Sequence, residues 1–254
     1  MASPEKKEPF IEVRGLKKKI GDQEILRGVD LDVMAGEILV LVGPSGEGKS
    51  VLLKHLIGLL KPDSGTIKIE GVNLTGLRER QLAPIRKRIG ILFQNAALFD
   101  SMTLAQNVAF PLHEAGVRDP KEIEKRVHEA LDVVELSEHK EKMPVNLSGG
   151  MRKRAGIARA IISRPAAVLY DEPTSGLDPI VSDVIDQMIM RLQKRYNMTA
   201  IVVTHDMNSV FKISHRVAML KGGVIHFLGT PKELRECKAQ DVQDFIAGKS
   251  GITG

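Results

Sequence analysis

Three short stretches and one histidine carry residue types that could do chemistry together. The first is Gly43-Pro44-Ser45-Gly46-Glu47-Gly48-Lys49-Ser50. Glycines at these spacings let the backbone curl tightly, so that successive N–H groups face one point and can cradle a phosphate. Lys49 has the reach to meet the β- and γ-phosphates of a nucleotide, and Ser50 can set its hydroxyl on a Mg²⁺ ion bridging them. Val51 carries the loop into a helix whose dipole adds positive potential at the same place. The second stretch is Asp171-Glu172. One carboxylate can hold Mg²⁺ through its water shell, and the next can polarise a water for attack on the γ-phosphate. The third is Ser148-Gly149-Gly150-Met151, where a capping serine and two glycines expose the N–H groups of a helix start to a second anion. His205 could touch a γ-phosphate, although a lone histidine at a strand end more often serves the structure.

These groups need elements to position them. The apolar run 37–42 precedes the glycine-rich loop and a helix runs from Lys49 to about Leu60, so the loop sits in a strand–turn–helix context. That context separates it from a chance glycine-rich turn. Residues 167–171 form an apolar strand ending in the two carboxylates, and 199–204 form another that leads into His205. Sheets of this kind bind ligands at their strand ends. A further buried strand, 89–93, ends at Gln94. Ahead of the core, 10–14 and 25–33 read as strands joined around Gly21-Asp22, and 66–71 as a strand after the turn residues Pro62 to Gly65. From 103 to 165 the pattern is helical, with starts at Asp119-Pro120 and Ser148. A helix over 179–196, strands near 216–220 and 223–228, a short helix capped by Thr230-Pro231 and a polar tail through Gly248-Lys249-Ser250-Gly251 complete the chain. The basic residues of 152–161 are expected on that helix's solvated face rather than in a nucleic-acid patch.

Composition narrows the class. The 254 residues are 43% hydrophobic and 27% charged, which suits a soluble globular protein with a sizeable core. No apolar run approaches the roughly 20 residues needed to span a bilayer, and residues 1–8 lack a signal-peptide core, so a protein that stays where it is made is expected. Cys237 stands alone, which excludes an internal disulfide and fits a reducing cytoplasm. Histidines 55, 113, 128, 139, 215 and 226 show no metal-ligand spacing. The net charge of +5 is scattered and aromatics are only 4%, which argues against a nucleic-acid surface.

Taken together, GPSGEGKS, Gln94, LSGGM, VLYDE, Ser175-Gly176-Leu177-Asp178 and His205 stand in an order that resembles ABC-transporter ATPase subunits over about residues 10 to 235. The resemblance implies an α/β fold with a P-loop NTPase (RecA-like) core, an antiparallel β subdomain and an inserted helical subdomain. It divides a single domain, 1–254, into a nucleotide-binding core (10–98 and 166–235), a helical insertion (99–165) and a C-terminal tail (236–254). It also implies ATP and Mg²⁺ as ligands, with ATP held by Gly43 through Val51. Ser50, Gln94 and Asp171 would serve Mg²⁺, and Glu172, His205 and Gln94 would serve hydrolysis. Two chains would pair head to tail as a homodimer, each presenting Ser148, Gly149, Gly150 and Met151 to its partner's ATP, with Asp178 crossing the dimer. Integral-membrane permease subunits would be the partners, and the cytoplasmic face of the inner membrane the location.

Two departures from the family pattern bear on function. Ile20 occupies the position where the family usually stacks an aromatic on adenine, which implies weaker stacking. Met151 replaces the usual glutamine. That change, with the segments 93–101, 107–112 and 242–248, resembles ATPases of MCE-type lipid transporters such as the Mla phospholipid system. An MCE-domain lipid-binding protein and an accessory subunit are then expected as further partners. A small-solute permease would leave all six motifs unchanged. Soluble ABC proteins acting on ribosomes or DNA usually carry two cores or long insertions in one chain, and this chain has neither.

Overall fold

A computed structural model describes residues 8–249; the readings placed on residues 1–7 and on Ser250-Gly251 lie outside the described residues. The chain opens with β1 (Pro9–Ile20), β2 (Gln23–Met34) and β3 (Ile38–Val42), then α1 (Lys49–Leu56), β4 (Ser64–Ile69), β5 (Val72–Asn73), α2 (Glu79–Arg86) and β6 (Ile89–Leu92). Three helices follow, α3 (Leu104–Glu114), α4 (Pro120–Val133) and α5 (Gly149–Ile161), with short 3₁₀ turns at Ser137–His139 and Pro144–Asn146. The order then alternates through β7 (Ala167–Asp171), α6 (Pro179–Tyr196), β8 (Thr199–Val203) and α7 (Met207–Ile213). The described chain closes with β9 (Arg216–Lys221), β10 (Val224–Gly229), α8 (Pro231–Glu236) and α9 (Gln240–Ile246).

The strands make two sheets. One is antiparallel, in the order β2-β1-β4-β5, and the other runs β10-β9-β3-β8-β7-β6. Within the larger sheet β9, β3, β8, β7 and β6 are parallel neighbours, and β10 turns back antiparallel at the edge. A parallel sheet covered on both faces needs strands that are apolar on both sides. β3 and β8 meet this demand at every position, since all five residues of each are buried. Alternation then sends Ile38, Val40 and Val42 into the core under α3 to α6, and Leu39 and Leu41 into the core shared with α1 and the antiparallel sheet.

Helix starts match their sequence signals. Asp119 accepts from Lys121 N at 3.0 Å ahead of α4, with Pro120 in the first turn. Asp178 accepts from Ile180 N and Val181 N at 2.9 and 3.0 Å ahead of α6, which ends at the left-handed Asn197.

Several expectations need correction. α1 stops at Leu56, with Gly58 at φ 67° behind it, rather than running to Leu60. The two-residue β5, α2 and α7 were not expected, because their apolar spacing is too short to establish a period. The tail is not simply polar: α9 buries Val242 and packs Phe245 and Ile246 against the core.

The packing of α7 on α6 leaves one buried carboxylate. Asp186 is 3% exposed; Ser209 donates to its Oδ2 at 2.7 Å, and its Oδ1 has no hydrogen-bond partner. Burial pushes its pKa up from 3.8 to about 6, against the Ser209 hydrogen bond that opposes the shift. The folded protein therefore holds this proton more tightly than the unfolded chain. The stability it contributes is whole below pH 3.8 and is lost as pH rises through about 6. Asp186→Asn should remove a fall in unfolding free energy of roughly 2–3 kcal/mol across that window. Denaturant titration of both proteins at pH 4 and pH 8 measures it, and an unchanged pH dependence would contradict the assignment.

Candidate functional site

Four adjacent parallel strands deliver the candidate residues to one edge of the large sheet. In the hydrogen-bonded register Leu41 of β3 pairs with Val203 of β8, Val203 with Asp171 of β7, and Tyr170 of β7 with Leu92 of β6. Gly43, His205, Glu172 and Gln94 each lie one or two residues beyond those positions. With strands about 4.8 Å apart, the row from loop to Gln94 spans three strand spacings.

The glycine-rich loop sits where β3 leaves the sheet. Gly43 has φ 146°, and a Cβ there would lie 2.1 Å from the Leu220 carbonyl oxygen of β9, so the strand exit tolerates only glycine. Gly48, at φ 98°, forms the left-handed cap of α1 against Ile25. Lys49 folds over the loop and donates to the Gly43 and Pro44 carbonyls at 2.7 and 2.8 Å. Burial lowers its pKa, while Glu172, Glu47 and Asp171 pull the other way. Glu47 fastens the loop from outside by accepting from Gly222 N, in the β9–β10 turn, at 2.6 Å.

Ser50 Oγ donates to Asp171 Oδ1 at 3.2 Å, which brings together the two oxygen donors expected at Mg²⁺. Burial raises the Asp171 pKa, as does the neighbouring Glu172, and the Ser50 hydrogen bond opposes both. Oxygen donors of this kind suit Mg²⁺. Among the described residues no group of three or more His, Cys, Asp or Glu is disposed to hold a metal, so Ser50 and Asp171 fit the ion in company with phosphate oxygens.

Glu172 occupies a left-handed backbone conformation, φ 50°, with its N–H donating to Val203 O at 2.9 Å. Such a conformation in a non-glycine residue costs roughly 1–3 kcal/mol and persists only when its surroundings hold it. His205 Nδ1 is hydrogen-bonded to Glu172 Oε1 at 3.0 Å and stands 2.9 Å from Oε2. Oε2 is itself buried, so both carboxylate oxygens lie within reach of the one ring nitrogen. His205 is mostly exposed and free to face a ligand.

The helix behind Ser148 departs from its expected solvated face. Ser148 Oγ caps α5 at Met151 N, 3.2 Å away, and its glycines lie against Leu177 and Val181. Four cations on α5 turn to backbone carbonyls, three of them from buried or half-buried positions and Arg152 from an exposed one. Arg152 reaches Leu147 at 2.7 Å, Arg154 reaches Val134 at 3.2 Å, and Arg159 takes Ala96 and Ala97 at 2.6 and 2.7 Å. Lys153, 6% exposed, donates to the carbonyls of Gln94 at 2.5 Å and Glu172 at 2.7 Å. Unpaired carbonyls in tight turns give these cations partners that a charge count cannot reveal. The available signal was spacing: Lys153 shares the small-residue stripe of Gly149, Gly156 and Ala160 that packs inward.

The remaining expected residues divide. Ile20 ends β1 opposite Gln23 and is 50% exposed, open to a ligand but not aromatic. Gln94 begins an exposed turn in which Ala96 and Ala97 are left-handed. Leu98 packs on the core, while Phe99 is 42% exposed and meets Phe110 with the rings tilted at 53° and their centroids 4.8 Å apart. Beside them α3 and α4 enclose an open groove of about 1180 Å³, lined by Ala105, Ala109, Phe110, Ile123, Val127 and Leu131 among others. The cavity at the start of α5 is lined by Gln94, Gly149, Lys153 and Leu177, and by no residue of the phosphate loop.

The sequence profile of the ABC transporter family matches residues 26–175. The chain is 42% identical over 239 residues to the probable ribonucleotide transport ATP-binding protein mkl of Mycobacterium leprae (strain TN), an alignment covering 94% of this chain and 69% of that one. It is also 42% identical over 217 residues to the methionine import ATP-binding protein MetN of Brucella abortus (strain 2308), covering 85% of this chain and 58% of that one. Among solved structures, the ATP-binding cassette MJ0796, a dimer in a post-hydrolysis state bound to ADP and Pi, superposes with a TM-score of 0.80 at 32% identity, covering 87% of this chain and 98% of that one. The cbiO1 protein of Clostridium perfringens, part of the ABC transporter complex cbiONQ, gives 0.83 at 31% identity, covering 91% and 92%. A profile spanning more than half the chain, and relatives 42% identical along most of it, place the chain in the ABC transporter family, as an ATPase of the ABC ATPase fold that uses ATP with Mg²⁺.

Proposed function

We propose that the transporter this ATPase subunit energises carries lipid, and phospholipid in particular, between or across bacterial envelope membranes. The chain would work on the cytoplasmic face of the inner membrane as a head-to-tail homodimer beneath permease subunits, with an MCE-domain protein and an accessory subunit on the same complex. Support for lipid comes from Met151, the turn 93–101, the α3 segment 107–112 and the α9 segment 242–248, which resemble the MCE-associated ATPases. The groove between α3 and α4, lined by Phe110, would offer a largely apolar seat for a permease helix. No helix among the described residues is long and apolar enough to cross a membrane.

Within the site, the loop N–H groups and Lys49 would bind and orient the phosphates. Ser50 and Asp171 would hold Mg²⁺, which would supply neutralisation of phosphate charge, and Gln94 would link that position to the permease contact. Glu172 would take the proton of the attacking water, and His205 would hold the Glu172 carboxylate and meet the γ-phosphate. Ser148 to Met151 and Asp178 would complete the partner's site. One observation supports the assignment of the base: the Glu172 carboxylate stands at the strand ends beside the His205 ring, whose Nδ1 lies 3.0 Å from Oε1 and 2.9 Å from Oε2. The second reading, import of a small solute, is favoured by the printed names of the 42% identical relatives, one for ribonucleotide transport and one for methionine import.

Glu172→Gln should lower ATP turnover by about 10²–10⁴ while ATP binding persists. Near-normal hydrolysis would take Glu172 out of the role. Gentle detergent capture of the tagged chain from its native membranes, with mass spectrometry of proteins and lipids, separates the two substrates. A permease recovered with an MCE-domain protein and phospholipid is the expected result; a permease with a solute-binding protein would overturn the lipid reading and keep the ATPase.

A further inference from the structure

We propose that Lys153 is a positioning residue for hydrolysis, making the placement of Glu172 depend on the placement of α5. The inference rests on the reading of Glu172 as the base. Its ground is one buried ammonium shared by two loops. Lys153 Nζ holds the carbonyl of Gln94, after β6, and the carbonyl of Glu172, after β7, at 2.5 and 2.7 Å.

The Glu172 peptide is held on both sides. Its N–H is tied to Val203 of β8, and its carbonyl accepts from Lys153 and, at 3.2 Å, from Ser175 N. At φ 50° this residue has no regular ladder to keep it in place, so these hydrogen bonds set where its carboxylate points. The Val203 and Ser175 partners are local to the core. Lys153 alone among them belongs to α5, whose first turn is the Ser148-Gly149-Gly150 anion site. A shift of α5 on engaging a ligand would therefore be felt at Glu172 and Gln94 together. Arg159 grips the neighbouring turn at Ala96 and Ala97 and does not touch Glu172. Burial lowers the Lys153 pKa, while the charges of Glu172 and Asp171 favour the ammonium. A lysine kept at 6% exposure against that opposition is more than a solvated side chain of a helix.

A residue that only stabilised the fold would lower thermal stability without touching one kinetic step. A residue that orients the base should lower kcat and leave nucleotide binding alone. In the full-length chain, Lys153→Met should cut kcat for ATP by about 10- to 100-fold, the range expected from small misplacements of a reacting group. KM and the affinity for a fluorescent ATP analogue should change by less than about twofold, and Lys153→Arg should restore most of the rate. In the Glu172→Gln background, Lys153→Met should lower the residual single-turnover rate by no more than about twofold, because the group it positions is already gone. If Lys153→Met fails to fold, Lys153→Gln, which keeps an N–H donor, carries the same comparison. A normal kcat in the lysine variant beside an inactive Glu172→Gln overturns the positioning role alone. So does an equal further loss on the Glu172→Gln background. Near-normal hydrolysis by Glu172→Gln would remove the base assignment and the route proposed for Lys153 with it.

Discussion

The structure depends on the lateral hydrogen bonding of four parallel strands, β3, β8, β7 and β6, in a register that brings their ends level. Parallel strands cannot be joined by tight hairpins, so each connection must leave the sheet and return through a helix or an insertion. The strand ends are thereby left bare of neighbouring backbone at one edge, and that edge is where phosphate loop, carboxylates, histidine and glutamine meet. A one-residue slip of β7 against β8 would send Tyr170 to the opposite, already filled face of the sheet and move Glu172 away from His205. The close packing of β7 side chains in two separate cores, with Tyr170 on one face and Ala167 and Leu169 on the other, opposes it.

The site built on that edge stores strain and holds it with charge. Glu172, Ala96 and Ala97 are left-handed without being glycine, and the carbonyls at or beside them are those that Lys153 and Arg159 take. The helices α3 to α5 therefore contribute more than a capped start at Ser148. Their last helix clamps two loops of the core, so the two parts of the domain are mechanically joined at the residues nearest the chemistry.

Much of this was legible in the sequence because the strongest signals were local. The phosphate loop reads from glycine spacing, the Asp171-Glu172 pair from an apolar strand that ends abruptly in charge, and α6 from Asp178-Pro179 at one end and Asn197 at the other. Short elements were not legible: α7 and α2 are too brief to show a period, and α9 looks polar because only its Val242 face is buried. The largest misreading was of Lys153 and Arg159 as solvated. Charge on a helix usually means water, and the carbonyls that overrule this lie 59 and more residues away, or 19 away in the case of Glu172, where no local pattern can show them. Substrate identity is written in contacts with the membrane partner, so the sequence carries it only through resemblance.

The start of α5 lines a cavity apart from the phosphate loop of its own chain, and on the proposed reading a second copy would supply the missing half of each site. The most direct test mixes two inactive variants, Lys49→Ala, which spoils the loop, and Ser148→Arg, which spoils the helix start. Each heterodimer would carry one intact site, so random mixing should restore about a quarter of the wild-type ATPase rate. A mixture as inactive as its parents would contradict a site shared between two chains.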